Sequence, residues 1–245
     1  MPDPIAIAKV SMLADLERIR EYGQNVSNAT TTGYRRQVPF TLLESANTVE
    51  SATRGYGVSG SVAVQSDISA GAIKNTARAL DIALEGEGYL TVSTPEGVRY
   101  TRRGDLQLDP SGRLVTQAGD AVLAGGGEVV FPSTDSEMSG VSISSDGEIK
   151  VGERTLGKLT IAEFENPRAL DYVGNGLFQA GARSGAISGL PKTKVRQNAL
   201  EASNVRPVQD MTGMMQASRQ MEMSRNVMMA YDTMLDSAIN TLAVF

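Results

Sequence analysis

Asp105, Asp109 and Asp120 are the side chains whose type and spacing come nearest to a chemical constellation. Two carboxylates at a suitable separation could serve as the acid and nucleophile of a glycan hydrolase, and a cluster could hold calcium. The run Asp105-x-Gln107-x-Asp109 leads into Pro110-Ser111-Gly112, not into the glycine and distal glutamate of a calcium-binding loop. The expected role of these aspartates is therefore turn capping, in which a short carboxylate accepts from its own backbone. Arg99, Arg102 and Arg103 flank Tyr100 and could meet phosphate or RNA, but in an acidic chain they are expected to form a solvated strand end. Lys192, Lys194 and Arg196 alternate, so an extended segment puts them on one basic face, expected to be solvated. Gly86-Glu87-Gly88 and Gly125-Gly126-Gly127 resemble fragments of phosphate loops. Both lack the Lys-Ser/Thr pair and the strand–loop–helix setting that such loops need.

What is missing narrows the chemistry further. The 245 residues contain no Cys and no His. Disulfides, thiolate nucleophiles, Cys-ligated zinc, His-based triads and His-ligated metals are all removed together. No cofactor and no metal are expected, and the reading is that the chain is not an enzyme. Aromatic residues are only 5% and Trp is absent, so no sugar-stacking cleft is evident. The net charge of −5 argues against a general nucleic-acid or anionic-membrane binder. No stretch of about 18 apolar residues is present, so no membrane insertion is expected. Met1 to Lys9 lacks the basic region, apolar core and cleavage site of a secretory signal.

These side chains must be positioned by four segments: a helical arm over 1–36, an extended linker over 37–66, an all-β domain over 67–196 and a second helical arm over 197–245. In the first arm, Ile5, Ala8, Met12, Leu16, Ile19 and Val26 form a stripe, with Asp15, Glu17, Arg18, Arg20 and Glu21 mostly on other faces. Pro4 suits a first helical turn, and Gly33 is expected past the helix end. The linker is rich in Thr, Ser and Gly, with Pro39, Gly55, Gly57 and Gly60. In the third segment, turn signals such as Asp109-Pro110-Ser111-Gly112 and Asp146-Gly147 separate apolar runs, the pattern of antiparallel hairpins. Strands are expected at Tyr89–Val92, Leu114–Val115, Val129–Phe131, Val141–Ile143 and Leu159–Ile161.

The second arm is read as one long helix from Pro207 to Phe245. Met214, Ala217, Met221, Ser224, Met228, Tyr231, Leu235, Ala238 and Leu242 make a heptad seam in which large and small residues mix. Further apolar residues, among them Met211, Met215, Met223, Val227, Met229 and Ile239, lie outside it. A helix apolar around most of its girth has to be buried, and the rest of the chain offers it little cover.

Three segments together resemble the axial proteins of the bacterial flagellum, specifically the basal-body rod family. Asn25-Val26-Ser27-Asn28 followed by Gly33-Tyr34-Arg35-Arg36 is similar to the family's N-terminal signature. Leu80-Asp81 through Gly86-Glu87-Gly88-Tyr89 is similar to its central segment. Leu200-Glu201-Ala202-Ser203-Asn204-Val205, followed by Arg219 and Glu222, is similar to its C-terminal signature. Asn198 stands where the family has glycine, and Asn is the non-glycine residue that best holds a positive φ. Thr76-Ala77-Arg78-Ala79-Leu80-Asp81 and Arg219-Gln220-Met221-Glu222-Met223 resemble the proximal-rod branch more, with the distal-rod branch as the alternative.

The resemblance implies a mainly β fold with helical termini, an antiparallel β domain inserted between helical arms that pair as a coiled coil. It implies a structural, torque-transmitting subunit of the periplasmic rod, polymerising through its arms. Such subunits are exported by the flagellar type III apparatus without a cleaved signal, and their partners are other rod subunits, copies of themselves and that apparatus. Absence of Cys suits an oxidising destination. The assembly residues expected on this reading are Ile5, Met12, Leu16, Ile19, Asn25, Asn28, Gly33, Leu200, Glu201, Ser203, Asn204, Val205, Met214, Met221, Met228, Leu235 and Leu242. Two rival classes stay open: a carboxylate-dependent glycan hydrolase using the aspartates above, and a soluble partner-binding module using the Met-rich helix.

Overall fold

The computed structural model describes residues 4–43, 60–125, 127–131, 140–187 and 192–242. Gly55, Gly57, Gly126, Val244 and Phe245 therefore lie outside the described residues. The chain divides into two compact units. One comprises residues 1–27, 37–65 and 206–245; the other comprises 28–36 and 66–205. The fold is mainly antiparallel β, with a helix near each end of the chain.

The first unit holds helices α1 (Pro4–Ser27) and α2 (Pro207–Leu242) and strands β1 (Gln37–Leu43) and β2 (Gly60–Ser66). β1 and β2 pair as a two-stranded sheet inside the stretch expected to be a linker. Both helices begin at proline, whose missing N–H would be unbonded there in any case.

α1 packs on α2, and the burial periodicity shows which faces meet. On α1 the covered positions are Ala8, Met12, Asp15, Ile19, Tyr22 and Asn25, the repeat of a 3.6-residue helix. Two expectations are corrected here. Leu16, placed on the inward stripe, is 45% exposed, whereas Asp15 and Glu21, placed outside it, are buried. For Leu16 and Asp15 the reason is angular, because position 16 lies about 100° round the helix from 15, and the true stripe runs through 15; Glu21 is buried off that stripe. On α2 the covered positions are Asp210, Met214, Ala217, Met221, Ser224, Met228 and Tyr231, so the expected seam is followed as far as Tyr231. Leu235 and Ala238 are exposed.

Length explains where the seam stops. α1 has 24 residues and α2 has 36, or about 36 Å against about 54 Å at 1.5 Å per residue. Tyr22 lies against Gly213 near the start of α2, so the helices run antiparallel and α1 ends before α2 does. The helices approach closely at Gly213, where an added Cβ would stand 2.7 Å from the Tyr22 ring.

The second unit is built on a ten-stranded antiparallel sheet whose central strands are Tyr89–Thr94, Gly97–Thr101 and Ala121–Ala124. A three-stranded meander follows, Val141–Ile143, Glu148–Val151 and Arg154–Lys158. Ile82, Leu84, Leu90, Val92, Leu106, Leu114, Val122 and Ile149 form its aliphatic core. The few aromatic residues are concentrated in a second cluster of Tyr89, Phe164, Leu170 and Phe178, with Tyr100 and Tyr172 packed on it. Their rings meet edge to face, Tyr100 and Phe164 at 4.8 Å. Most expected strands are present. Val129–Phe131 instead contributes only an isolated bridge, Val130 to Arg113, beside the short strand Gly127–Glu128, and Leu159–Ile161 falls at the break between strands Arg154–Lys158 and Ile161–Phe164, with Leu159 bridging Ala124.

Candidate assembly interface

The aspartates prove to be structural. Asp109 Oδ1 accepts from the backbone N–H groups of Ser111 and Arg113, both at 2.8 Å, and Oδ2 accepts from Arg113 Nε at 2.8 Å. The Arg113 backbone bond leads the donors that hold its carboxyl below the ordinary carboxylate value. A carboxylate so held is a poor general acid. Asp105 is gripped by Arg103, and Asp120 accepts from the Thr116 hydroxyl at 3.3 Å. Each therefore has its own partner. No group of three acidic residues that could hold a metal occurs among the described residues.

The glycine pair Gly86 and Gly88 is not an anion cradle, because the Gly88 N–H is taken by Thr193 Oγ1 at 2.8 Å. The alternating cations lie on an exposed face as expected. Lys194 and Arg196 sit on the strand Lys194–Gln197, and Arg196 pairs across to Glu85 at 3.4 Å.

Arg102 departs from expectation. Expected at a solvated strand end, it is 3% exposed and joins a buried charge cluster. Glu201 Oε1 holds Arg35 at 2.7 Å and Oε2 holds Arg102 at 3.4 Å. The Arg102 guanidinium also donates to the carbonyls of Leu84 and Gly86 and lies 5.0 Å from the Tyr89 ring centroid. Burial leads the causes that lower its pKa, followed by the charge of Arg35, while Glu201 works in the opposite sense. Desolvation of this kind is tolerated only where the charge is paired and hydrogen-bonded.

Within this unit the two terminal signatures lock together. Gly33 donates its N–H to the Glu201 carbonyl at 2.8 Å, and Gly71 donates to Glu201 Oε1 at 2.8 Å. Arg36 donates its backbone N–H to Asn204 Oδ1 at 2.7 Å. The other end of the Asn204 amide donates to the carbonyls of Asp67 and Ser69. Gly33 lies past the helix end, as expected, and is also a close-approach position. Its φ is +64°, and a Cβ would stand 2.5 Å from the Arg102 carbonyl. α1 ends at Ser27, well before it. Asn198 has φ +56°, as its place in the signature requires. Asn28 accepts from Thr31 in a local turn, Ser203 Oγ accepts from the Val205 N–H at 3.3 Å, and Leu200 lies in the strand Ala199–Glu201.

In the helical unit, Asn25 is fully buried. Its amide donates to the Gln37 carbonyl at 2.7 Å and accepts from the Gln37 N–H at 2.8 Å. One side chain thus docks β1 on α1. The signature residues Asn25, Gly33, Glu201 and Asn204 therefore all make contacts inside the chain. Ile5, Met12, Ile19, Met214, Met221 and Met228 are partly covered on the two helices. Leu242 is helical. Facing outward are Met211, Met215, Met223, Val227, Met229, Met234 and Ile239, each 44% exposed or more. Sequence reasoning missed Arg35 and Arg102 as one buried pair of cations; the only signal was an acidic residue, Glu201, in the third of three family signatures whose other members carry the arginines.

Residues 83–151 match the family model described as the flagellar hook protein FlgE/F/G D1 domain, and residues 196–241 match the flagellar basal body rod FlgEFG protein C-terminal model. The chain is 31% identical over 221 residues to the flagellar basal-body rod protein FlgF of Salmonella typhimurium, covering 85% of each. It is 30% identical over 259 residues to FlgG of Borreliella burgdorferi, covering 95% of this chain and 96% of that protein.

The chain belongs to the flagellar basal-body rod protein family.

FlgG of Agrobacterium fabrum is 31% identical to this rod-family chain over 257 residues, covering 94% of it and 95% of the relative. Both family models fall on structure described above. The first spans the aliphatic β core, and the second begins at Arg196 and takes in Glu201, Asn204 and nearly all of α2. No helix among the described residues is long and apolar enough to cross a membrane.

Proposed function

We propose that this protein is a structural subunit of the flagellar basal-body rod, with no catalytic role, and that it polymerises through its helical unit. The observation that carries the proposal is the outward face of α2. An ordinary folded monomer rarely leaves so many large apolar side chains of one helix uncovered. Contacts through such a face are heterologous and need not close, which is how an open helical polymer grows. The α1–α2 pair, with mixed large and small residues at its seam, fits coiled-coil-like packing against neighbouring helices. The β unit would then decorate and stiffen the outside, with export through the flagellar apparatus bringing subunits to the growing tip.

Within the rod, the segments around Arg78 and Glu222 favour the proximal position. The distal position is a second reading, favoured by coverage: the FlgG relatives above span 94 to 95% of the chain, against 85% for FlgF. Electron microscopy of basal bodies from a strain lacking the gene tests both. A basal body whose rod lacks its proximal part and all beyond it supports the proximal position, and one that keeps the proximal part but lacks the distal part supports the distal. A complete rod would remove the proposal.

A further inference from the structure

The helical unit contains a cavity of about 400 Å³ bounded by α1, β1 and α2. Asp15, Arg18, Tyr22, Phe40 and Gln220 are among the side chains that line it. Asp15 is 1% exposed, and only half of its carboxylate is used. Oδ1 holds Arg18 at 3.0 Å, whereas Oδ2 is buried without a hydrogen-bond partner. Arg18 is itself committed, since its other terminal nitrogen donates to Thr41 Oγ1 at 2.6 Å. A buried carboxylate oxygen left without a donor keeps the full cost of its desolvation, so a wall that carries one is expected to receive a donor.

The rings of Tyr22 and Phe40 flank the same space, and this favours a guanidinium, which is planar and stacks on aromatic faces, over an ammonium. Glu201 in the β unit shows the finished arrangement in this protein, one arginine on each oxygen. Candidate donors are also present. Arg219 and Arg225 are exposed on α2, and neither pairs with a carboxylate among the described residues. They border the apolar face that assembly would cover.

We propose that this cavity is a socket for an arginine of α2, Arg219 or Arg225, from a second copy of the chain, which completes the Asp15 carboxylate. The inference rests on the polymer reading above and adds to it a defined polar contact between copies. That contact would set register where apolar packing alone leaves helices free to slide.

Because the chain has no Cys, single introduced thiols report one contact at a time. Two differently tagged copies, one carrying Gln220→Cys at the socket and the other Glu222→Cys between the two arginines, are co-expressed. Basal bodies are then isolated and treated with a short bis-maleimide. A cross-link joining the two tags is expected. It should fall about tenfold or more when Asp15→Asn is added to the socket copy, or Arg219→Gln with Arg225→Gln to the other. The two arginines are exposed, so their replacement leaves folding intact, and a thermal melt checks Asp15→Asn. Protein present in basal bodies without the cross-link, or a cross-link indifferent to both sets of substitutions, overturns the socket and leaves the rod reading standing. Absence of the unsubstituted protein from basal bodies overturns both.

Discussion

The Arg35 guanidinium and the Glu201 carboxylate meet at 2.7 Å, each 1% exposed, so distant parts of the chain close on one buried charge. Arg102 shares the same carboxylate. Removing the acid would strand two cations in the interior. Glu201→Gln is expected to destabilise the β unit by about 3–5 kcal/mol, the range for breaking a buried pair from one side. Urea denaturation followed by the fluorescence of the clustered tyrosines measures it; a loss under about 1 kcal/mol would show that the cluster is solvated.

Gly33 has a left-handed backbone and no room for a side chain. Gly33→Ala adds a methyl 2.5 Å from backbone atoms of Arg102, in a φ region that costs non-glycine residues about 1–2 kcal/mol before any clash. The expected total exceeds about 2 kcal/mol, read from the same denaturation curve. Gly23→Ala is the control, because nothing lies within 4 Å there, and it should be neutral or stabilising.

Asn25 holds both backbone groups of Gln37, and Asn25→Ala leaves a buried donor and a buried acceptor unpaired. About 2–6 kcal/mol of loss is expected, at about 1–3 for each group. Hydrogen exchange should show β1 opening in this variant while the β unit keeps its protection.

The two units should respond oppositely to acid. Burial raises Asp15 and Glu21 above their ordinary values of 3.8 and 4.5, so the folded helical unit takes up protons first. Stability from these groups is full below the ordinary values and is lost as pH rises through the raised ones. In the β unit, donors hold Asp109 and Glu148 low, led by the Arg113 backbone and by Lys150. For Glu163 burial pushes upward, but bonds from Thr193 prevail and hold it low as well. Their contribution is present above the ordinary values and disappears as pH falls through the depressed ones. Exchange protection measured from neutral pH down past those values should therefore fall in the β unit before it falls in α1. The reverse order would contradict the assignment.

The part of α2 beyond Tyr231 lies past the end of the covered seam. Removing residues 232–245 is expected to leave the thermal midpoint of the β unit unchanged, as for surface changes within about 0.5 kcal/mol. Incorporation into basal bodies should be lost. A shortened chain that incorporates normally would remove this stretch from the proposed polymer contact.

Both long helices, the hairpin chemistry of the middle and the family signatures were legible in the residues alone. Their information is local: proline starts, apolar repeats and Asp-Gly or Pro-Ser-Gly turns constrain the few residues around them. The positive φ of Asn198 was implied by the family resemblance, which has glycine there. Tertiary structure decided what locality cannot carry. Whether Asp15 or Leu16 faces inward depends on a rotation of about 100° that only a packed partner selects. Whether Arg102 is solvated or buried depends on a carboxylate nearly a hundred positions away. The seam of α2 continues in sequence past Tyr231, but its cover stops there because α1 is shorter, a comparison no window of residues contains. Periodicity states that a surface must be covered; the lengths and positions of the other elements decide how much of it the chain covers itself.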